Sequence, residues 1–250
     1  PRQPKKKSDK QIKHWAHARK TGRKIVAKMQ LNNSWELSAV PYMPVPYLVE
    51  EHLNRLKNAG VSGIMASWTL GGFPDGNLKL LAATPEELAA AAYHPERAEK
   101  VCCAWKQFSE AFRNFPFHVN VLYVAPMNYG PMNLLHREPT GYRATMVGFP
   151  YDDLESWRSL YPQEIFLDQM EKITAGWREG LQTLANAAGM VQPEEAAAFN
   201  DLQTIAEAAY CHFQTTVQQI RFVIARQNGD SKEMQEMIRQ ERDIALKLYD

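Results

Sequence analysis

Two short apolar runs joined by a helical segment constrain the fold of this chain more than any other feature. In the first run, residues 24–31, the side chains of Ile25, Ala27, Met29 and Leu31 alternate with those of other residues, which is the period of a β-strand. The second run, VSGIMASW at residues 61–68, follows a segment whose apolar residues recur at helical spacing. Two strands joined by a helix through short turns predict parallel strands with a right-handed crossover. We therefore expect an α/β fold.

The rest of the chain contributes mainly helices. HVNVLYV, residues 118–124, predicts a third strand, whereas the apolar residues after about Gln163 repeat every three or four positions to the end of the chain. This second pattern predicts a helical bundle that is broken at Gly229. Three strands cannot complete a doubly wound sheet or an eight-stranded barrel. Because the chain also begins without Met and stops within a helical pattern at Asp250, we expect a piece of a longer protein.

Local signals divide the chain further. A capping box is present at Ser8, with Gln11 three residues later, and another at Thr84, with Glu87 three residues later, so a helix is predicted to begin at each. Gly60 stands where the preceding helix should end. The predicted parts are a disordered basic tail (1–7), βα units (8–83), a part with helices, one strand and an aromatic connector (84–162), and a helical bundle (163–250).

Composition excludes several classes of protein. Hydrophobic residues make up 45% of the 250, enough for a large core, and the formal charge of +1 provides no general attraction for nucleic acid or for an anionic membrane. The KKK run at residues 5–7 can be a localisation or nucleic-acid patch, or simply a solvated tail, and we favour the tail. Cys102, Cys103 and Cys211 form no C-x-x-C pair. We expect no metal, cofactor, nucleic-acid partner or membrane, and oligomeric state and location stay open.

Polar and aromatic residues follow the two strands. Asn32, Asn33, Trp35 and Glu36 come after the first strand, and Trp68 ends the second. In parallel sheets functional groups gather at the carboxyl ends of strands, so these residues form a candidate site. A carboxylate beside an indole can be held partly desolvated, ready to act as a nucleophile, acid or base. The alternatives are a surface turn for Glu36 and core packing for the tryptophans.

A long connector between residues 125 and 162 is rich in Pro, Gly, Tyr and Asn. Connectors of this length in compact domains are often functional or disordered, and the aromatic content of this one favours a functional role. Asn128, Tyr129 and Asn133 are candidate substrate-facing groups, and Asp152 and Asp153 could fold over a pocket. The alternative for the aspartates is an N-cap and first turn of a following helix.

The order of these motifs resembles the last strands of a glycoside hydrolase (β/α)8 barrel. The matching features are a helix ending in ARKTG, a strand ending in NNSWE, a proline-rich loop, and a helix and strand ending in ASW. APMNYGPMNLL and TMVGFPYDDLESWR further resemble a little-characterised group of bacterial carbohydrate-active proteins, in which a helical region follows the barrel. The resemblance implies an incomplete (β/α) barrel, the last strands of a TIM barrel, followed by a mainly α-helical region. The upstream strands, including the one that commonly supplies the acid/base carboxylate, are absent.

The resemblance also implies a function. The chain would belong to carbohydrate metabolism and hydrolyse O-glycosidic bonds of a carbohydrate substrate, with Glu36 as nucleophile or general base and with Trp35 and Trp68 lining the sugar subsite. Three further side chains would face the barrel interior and hydrogen-bond sugar hydroxyls: Lys28, Gln30 and Asn32. One alternative is a non-catalytic carbohydrate-binding barrel. The other is a helical protein-interaction module in which residues 163–250 bind a partner through an apolar stripe on the last two helices.

Overall fold

Helices make up most of the protein. The computed structural model describes residues 9–66, 73–189 and 192–249, with 64% helix and 3% strand. In chain order, the α-helices and strands of this part are α1 (Asp9–Lys20), β1 (Val26–Met29), α2 (Pro46–Asn58), β2 (Gly63–Ala66), α3 (Pro85–Ala92), α4 (Pro95–Phe112), α5 (Val119–Val124), α6 (Leu154–Arg158), α7 (Gln163–Ala188), α8 (Ala196–Gln227) and α9 (Ser231–Tyr249). Short 3-10 helices cover Gly76–Leu81, Pro126–Asn128 and Gly130–Met132. Over these ranges no helix has both the length and the apolar character needed to cross a membrane.

The predictions of an α/β fold and of an incomplete TIM barrel are wrong. The sheet of the described part consists of β1 and β2 alone, four residues each, in parallel with Val26 opposite Gly63 and Met29 opposite Ala66. The crossover through α2 was predicted, but no barrel wall is built on it. The protein is therefore mainly α-helical.

The predicted third strand is helix α5. Its sequence is rich in β-branched residues, which favours a strand, yet it buries the adjacent residues Val121 and Leu122 together, and His118 Nδ1 accepts a hydrogen bond from Asn120 N at 3.2 Å as an N-cap. Burial of two successive side chains suits a helix and not an alternating strand. Strand propensity depends on the neighbouring chains, and here α5 packs against α6.

Several predicted helix ends are confirmed. Thr84 and Glu87 form the reciprocal capping box at the start of α3. Gly60 has φ +72° and ends α2, with Val61 N donating to Leu56 O at 3.1 Å and Gly60 N to Lys57 O at 2.9 Å. These are the two hydrogen bonds of a Schellman motif, which needs a left-handed residue and so favours glycine. The capping box at Ser8, the tail before it and Trp68 lie outside the described residues.

The core centres on three long helices. α4 packs on α7 and α7 on α8, and the ring of Trp177 lies between Phe108 and Phe213 with centroid distances of 4.6 and 5.3 Å. Gly180 faces the Phe108 ring, where any Cβ would overlap it, so α4 and α7 approach closely there. The buried apolar cluster runs without a break from Ala27 in β1 to Val223 in α8. The βα unit and the helices therefore share one core.

Candidate functional site

The polar segment after β1 folds back on itself. Asn33 has φ +55°, and Glu36 N donates to Asn33 O at 3.2 Å. Gln30 receives a hydrogen bond from Trp35 N at its Oε1 (3.1 Å) and donates through Nε2 to Glu36 Oε2 (2.8 Å). The Glu36 side chain is therefore buried beside Trp35, and the surface-turn alternative does not describe it.

Trp35 packs edge-on against two other rings. Its centroid lies 6.4 Å from that of Phe117 and 5.5 Å from that of Tyr123. Edge-to-face pairs of this kind stabilise aromatic clusters beyond the area they bury. Core packing accounts for this contact, so the sugar-subsite role of Trp35 stays a prediction.

Asn32 holds two loops together through its side-chain hydrogen bonds. It is buried, its Nδ2 donates to Asp75 O at 3.2 Å, and its Oδ1 accepts from Asn77 N at 3.0 Å. Asn77 Nδ2 in turn donates to Leu31 O at 3.0 Å and Met43 O at 2.7 Å. These bonds hold the loop after β1 against the loop that precedes α3. Sequence reasoning missed Asn77, because nothing local marks a partner so distant in the chain.

The remaining predicted residues of the first strand end differ in exposure. Lys28 is exposed on β1, whereas Asn33 is half-buried. The structure brings Gln30, Trp35 and Glu36 together and leaves Lys28 on the outer side of the strand.

The connector is tied to this segment by Asn128. Asn128 Oδ1 accepts from Ser38 N at 2.7 Å, and Asn128 Nδ2 donates to Leu122 O at 3.4 Å. Tyr129 OH donates to Gly148 O at 2.9 Å, which closes the connector on itself. Both predicted residues thus have positioning contacts within the fold.

The two aspartates of the connector are already engaged. Asp152 forms an ion pair with Arg226 Nη2 at 2.7 Å and accepts from Thr140. Burial acts to raise the pKa of Asp152, but the hydrogen bonds from Thr140 and Arg226 outweigh it and hold the pKa below its ordinary value. Asp153 is the N-cap of α6, accepting from Ser156 N at 3.3 Å, as the alternative interpretation of this pair predicted.

The connector carries an exposed apolar surface that sequence reasoning did not identify. Six of its large apolar side chains between residues 132 and 149 are 53–88% exposed, and we call them the connector surface: Met132, Leu134, Tyr142, Met146, Val147 and Phe149. Tyr151 links two of them, with ring centroids 5.1 Å from Tyr142 and 6.2 Å from Phe149. The Phe149 ring also lies 5.4 Å from that of Tyr129. The sequence feature that could have revealed this surface is a set of apolar residues that lies among glycines and prolines and repeats with neither the helical nor the strand period.

A buried polar network holds this surface in place. Asn133 Nδ2 donates to Tyr151 O at 2.6 Å and to Gln219 Oε1 at 2.7 Å. Gln219 Nε2 donates to Gly130 O at 2.9 Å and to Glu241 Oε1 at 3.0 Å. The network therefore joins the connector to α8 and α9, and Asn133 acts as one of its anchors.

His212 supports the same segment. Its Nδ1 donates to Met127 O at 2.6 Å, and burial lowers the pKa of His212 despite this hydrogen bond. Gly130, at φ +56°, lies against this ring, and a Cβ there would be 2.9 Å from it. The connector backbone can approach α8 this closely only with glycine at that position.

Replacing Glu241 with glutamine should change how stability depends on pH. Burial raises the pKa of Glu241 above its ordinary value of 4.5, although hydrogen bonds from Thr215 and Gln219 lower it in part. The folded state therefore binds a proton on the Glu241 carboxyl group more tightly than the unfolded state does. The contribution of Glu241 to stability is greatest below pH 4.5 and falls as pH rises through the pKa of Glu241 in the folded state. Glu241→Gln removes that loss, and the free energy of unfolding at neutral pH should increase. Urea unfolding across pH 4–8, with the exposed Glu179→Gln as control, measures the difference, and identical pH slopes for Glu241→Gln and the unaltered protein would contradict this assignment.

No protein-family model, curated protein or solved structure matches the chain. The resemblance to a carbohydrate-active barrel group therefore finds no support from relatives, and the helical fold overturns it. Among the described residues no three His, Cys, Asp or Glu side chains are grouped so that they could hold a metal ion.

Proposed function

We propose that this protein is a helical protein-interaction module and that its connector surface pairs with the same surface of a second copy. The observation that carries the proposal is the connector surface itself, six large apolar side chains exposed on one ordered segment. Exposed apolar patches on soluble proteins commonly mark interaction sites. Methionine and aromatic residues are also the types enriched at protein interfaces.

The rigidity of the segment favours association. Asn133, Asn128 and Tyr129 fix its backbone by hydrogen bonds, and the buried pair of Arg226 and Asp152 fastens its C-terminal end to α8. A surface that is already ordered loses less conformational entropy when it binds. The connector surface is therefore arranged as a pre-formed platform.

Charge favours a second copy as the occupant. Arg137 and Glu138 of the connector form an ion pair with each other, so these two charges balance. A formal charge of +1 on the whole chain gives two copies little mutual repulsion. Interfaces between identical subunits are the more apolar class, in keeping with this surface.

Glycoside hydrolysis is a weaker proposal. It ordinarily needs two carboxylates facing one sugar. Glu36 has the expected place beside Trp35, but Asp152 is paired with Arg226 and Asp153 caps α6. The stripe expected on the last two helices is also only partly exposed: α8 buries most of its apolar residues, while Ile238, Leu246, Leu248 and Tyr249 of α9 are exposed.

Sedimentation equilibrium over a wide range of protein concentrations tests self-association. We expect a monomer–dimer equilibrium, and Val147→Asp and Phe149→Ser should each raise the dissociation constant at least tenfold, about 1.4 kcal/mol, because each removes apolar contact at the platform. Ile165→Asp is the matched control, since Ile165 of α7 is also exposed but lies outside the connector. A monomer at every concentration, or a dimer unchanged by both variants, would overturn the proposal.

A further inference from the structure

We infer that the groove between α2 and β2 binds an extended, apolar and acidic segment of a partner protein as an added β-strand. The groove is built from other residues than the connector surface, so this inference does not depend on self-association. It rests on the open edge of β2, the apolar space beside that edge and the basic residues around it.

The edge of β2 is available for pairing. β2 bonds to β1 along one side, and no strand of the described ranges lies along its other side. Two strands alone make a marginal sheet, and parallel sheets are normally covered on both faces. Met65 and Val26, on the outer face, are 56% and 60% exposed. An unpaired edge presents backbone N–H and C=O groups to which an extended chain can hydrogen-bond.

The space beside the edge is apolar and suited to side chains. It has a volume of about 350 Å³ and lies between Leu53 and Leu56 of α2, Ile64 of β2, and Val61 and Leu81 nearby. Alternate residues of a strand point to the same face. A strand added to β2 would thus place every second side chain in this groove, with the intervening ones beside Met65. Aliphatic residues at alternate positions of the partner fit this arrangement.

The basic residues near the groove indicate which residues should flank the apolar positions of the partner. Lys57 lines the groove and forms no ion pair with any residue that the structure describes. Arg19 Nη1 donates to Ala59 O at 2.5 Å, which brings the end of α1 to the turn between α2 and β2. Lys57 in the groove and Arg19 at its α2–β2 end are therefore two basic residues placed at this site, and acidic residues flanking the apolar positions of the partner complement them.

Fluorescence polarisation with a labelled peptide tests the inference directly. The probe alternates valine or isoleucine with threonine and ends in aspartates, and we expect saturable binding to the full chain. Leu81→Asp should raise the dissociation constant at least tenfold, because it puts a charge in the apolar groove while altering a residue that is exposed in the free protein. Ile64→Asp should do the same, with circular dichroism to verify that the variant is folded.

A charge-reversal variant distinguishes specific binding at the groove from nonspecific binding. Lys57→Glu should weaken the aspartate peptide at least tenfold and bind a peptide that ends in lysines more tightly than the unaltered protein does. Lys232→Glu, on α9 far along the chain, is the matched control and should leave both affinities unchanged. A probe whose backbone amides are all N-methylated has no N–H to donate to the β2 edge and should not bind.

Three results would overturn the inference. The first is the absence of binding by the aspartate probe, and the second is equal binding of the N-methylated probe. The third is a dimer that Ile64→Asp dissociates and Val147→Asp does not, because the β2 edge would then be occupied by a second copy. That third result would also contradict pairing through the connector surface, whereas failure of the peptide alone would leave self-association standing.

Discussion

Replacing Arg97 with alanine is expected to lower the free energy of unfolding by about 3–5 kcal/mol, the usual cost of removing one partner of a buried ion pair. Arg97 of α4 and Glu195, just before α8, are 2% and 6% exposed and form an ion pair. Glu195 Oε2 also accepts from His94 N at 2.8 Å, so its carboxylate joins the starts of two helices. Without the guanidinium, a carboxylate would be left buried with no counter-charge. Chemical denaturation at neutral pH measures the loss.

Two controls show whether the loss comes from the stranded charge. The double variant Arg97→Met with Glu195→Leu removes both charges and keeps apolar volume, so it should recover most of the stability. Arg242→Ala breaks an exposed pair with Asp243 and should cost less than about 1 kcal/mol. If Arg97→Ala costs no more than Arg242→Ala, the buried pair does not stabilise the fold as inferred.

Replacing Trp177 with alanine should also cost about 3–5 kcal/mol, because it opens a large cavity in the core. The indole is fully buried between Phe108 and Phe213, and its Nε1 donates to Ala206 O at 2.9 Å. The substitution would therefore empty the space between α4, α7 and α8 and remove the hydrogen bond from the indole to the Ala206 carbonyl. Denaturant unfolding should show a lower midpoint with an unchanged slope.

The comparison for this variant is Trp105→Ala. Trp105 lies on α4 but is only half-buried, so a smaller loss is expected there. Equal losses for the two variants would show that the packing between Phe108 and Phe213 is not the centre of the core. A changed slope would show that the variant alters the unfolded or folded state more broadly.

Much of the local structure could be predicted from the residues. The capping box at Thr84, the glycine end of α2 at Gly60 and the break at Gly229 are correct because each depends on hydrogen bonds or a backbone angle within a few residues. The position of Glu36 beside Trp35, shortly after a strand, could also be predicted, because these residues are neighbours in the sequence. Asp153 as an N-cap was one of two stated alternatives and is the one observed.

The wrong predictions concern features that depend on contacts between residues far apart in the sequence. The segment His118–Val124 has strand-forming residues, but its contacts with α6 and its N-cap make most of it a helix. The barrel prediction extended a correct parallel crossover to further strands, which residues 9–66, 73–189 and 192–249 do not contain. Pairs such as Asn32 with Asn77, 45 positions apart, or Arg97 with Glu195 leave no local pattern.

By itself the sequence determined the long helices, the caps at Thr84 and Gly60 and the parallel crossover, since these depend on side-chain period and on interactions within one turn of chain. Only the tertiary structure decided that Asp152 and Asp153 are engaged, that the apolar residues of the connector are exposed, and that β2 has an open edge beside a groove. The reason is that exposure and pairing are properties of what surrounds a residue. A methionine or valine in a connector has the same local pattern whether a neighbouring helix covers it or not.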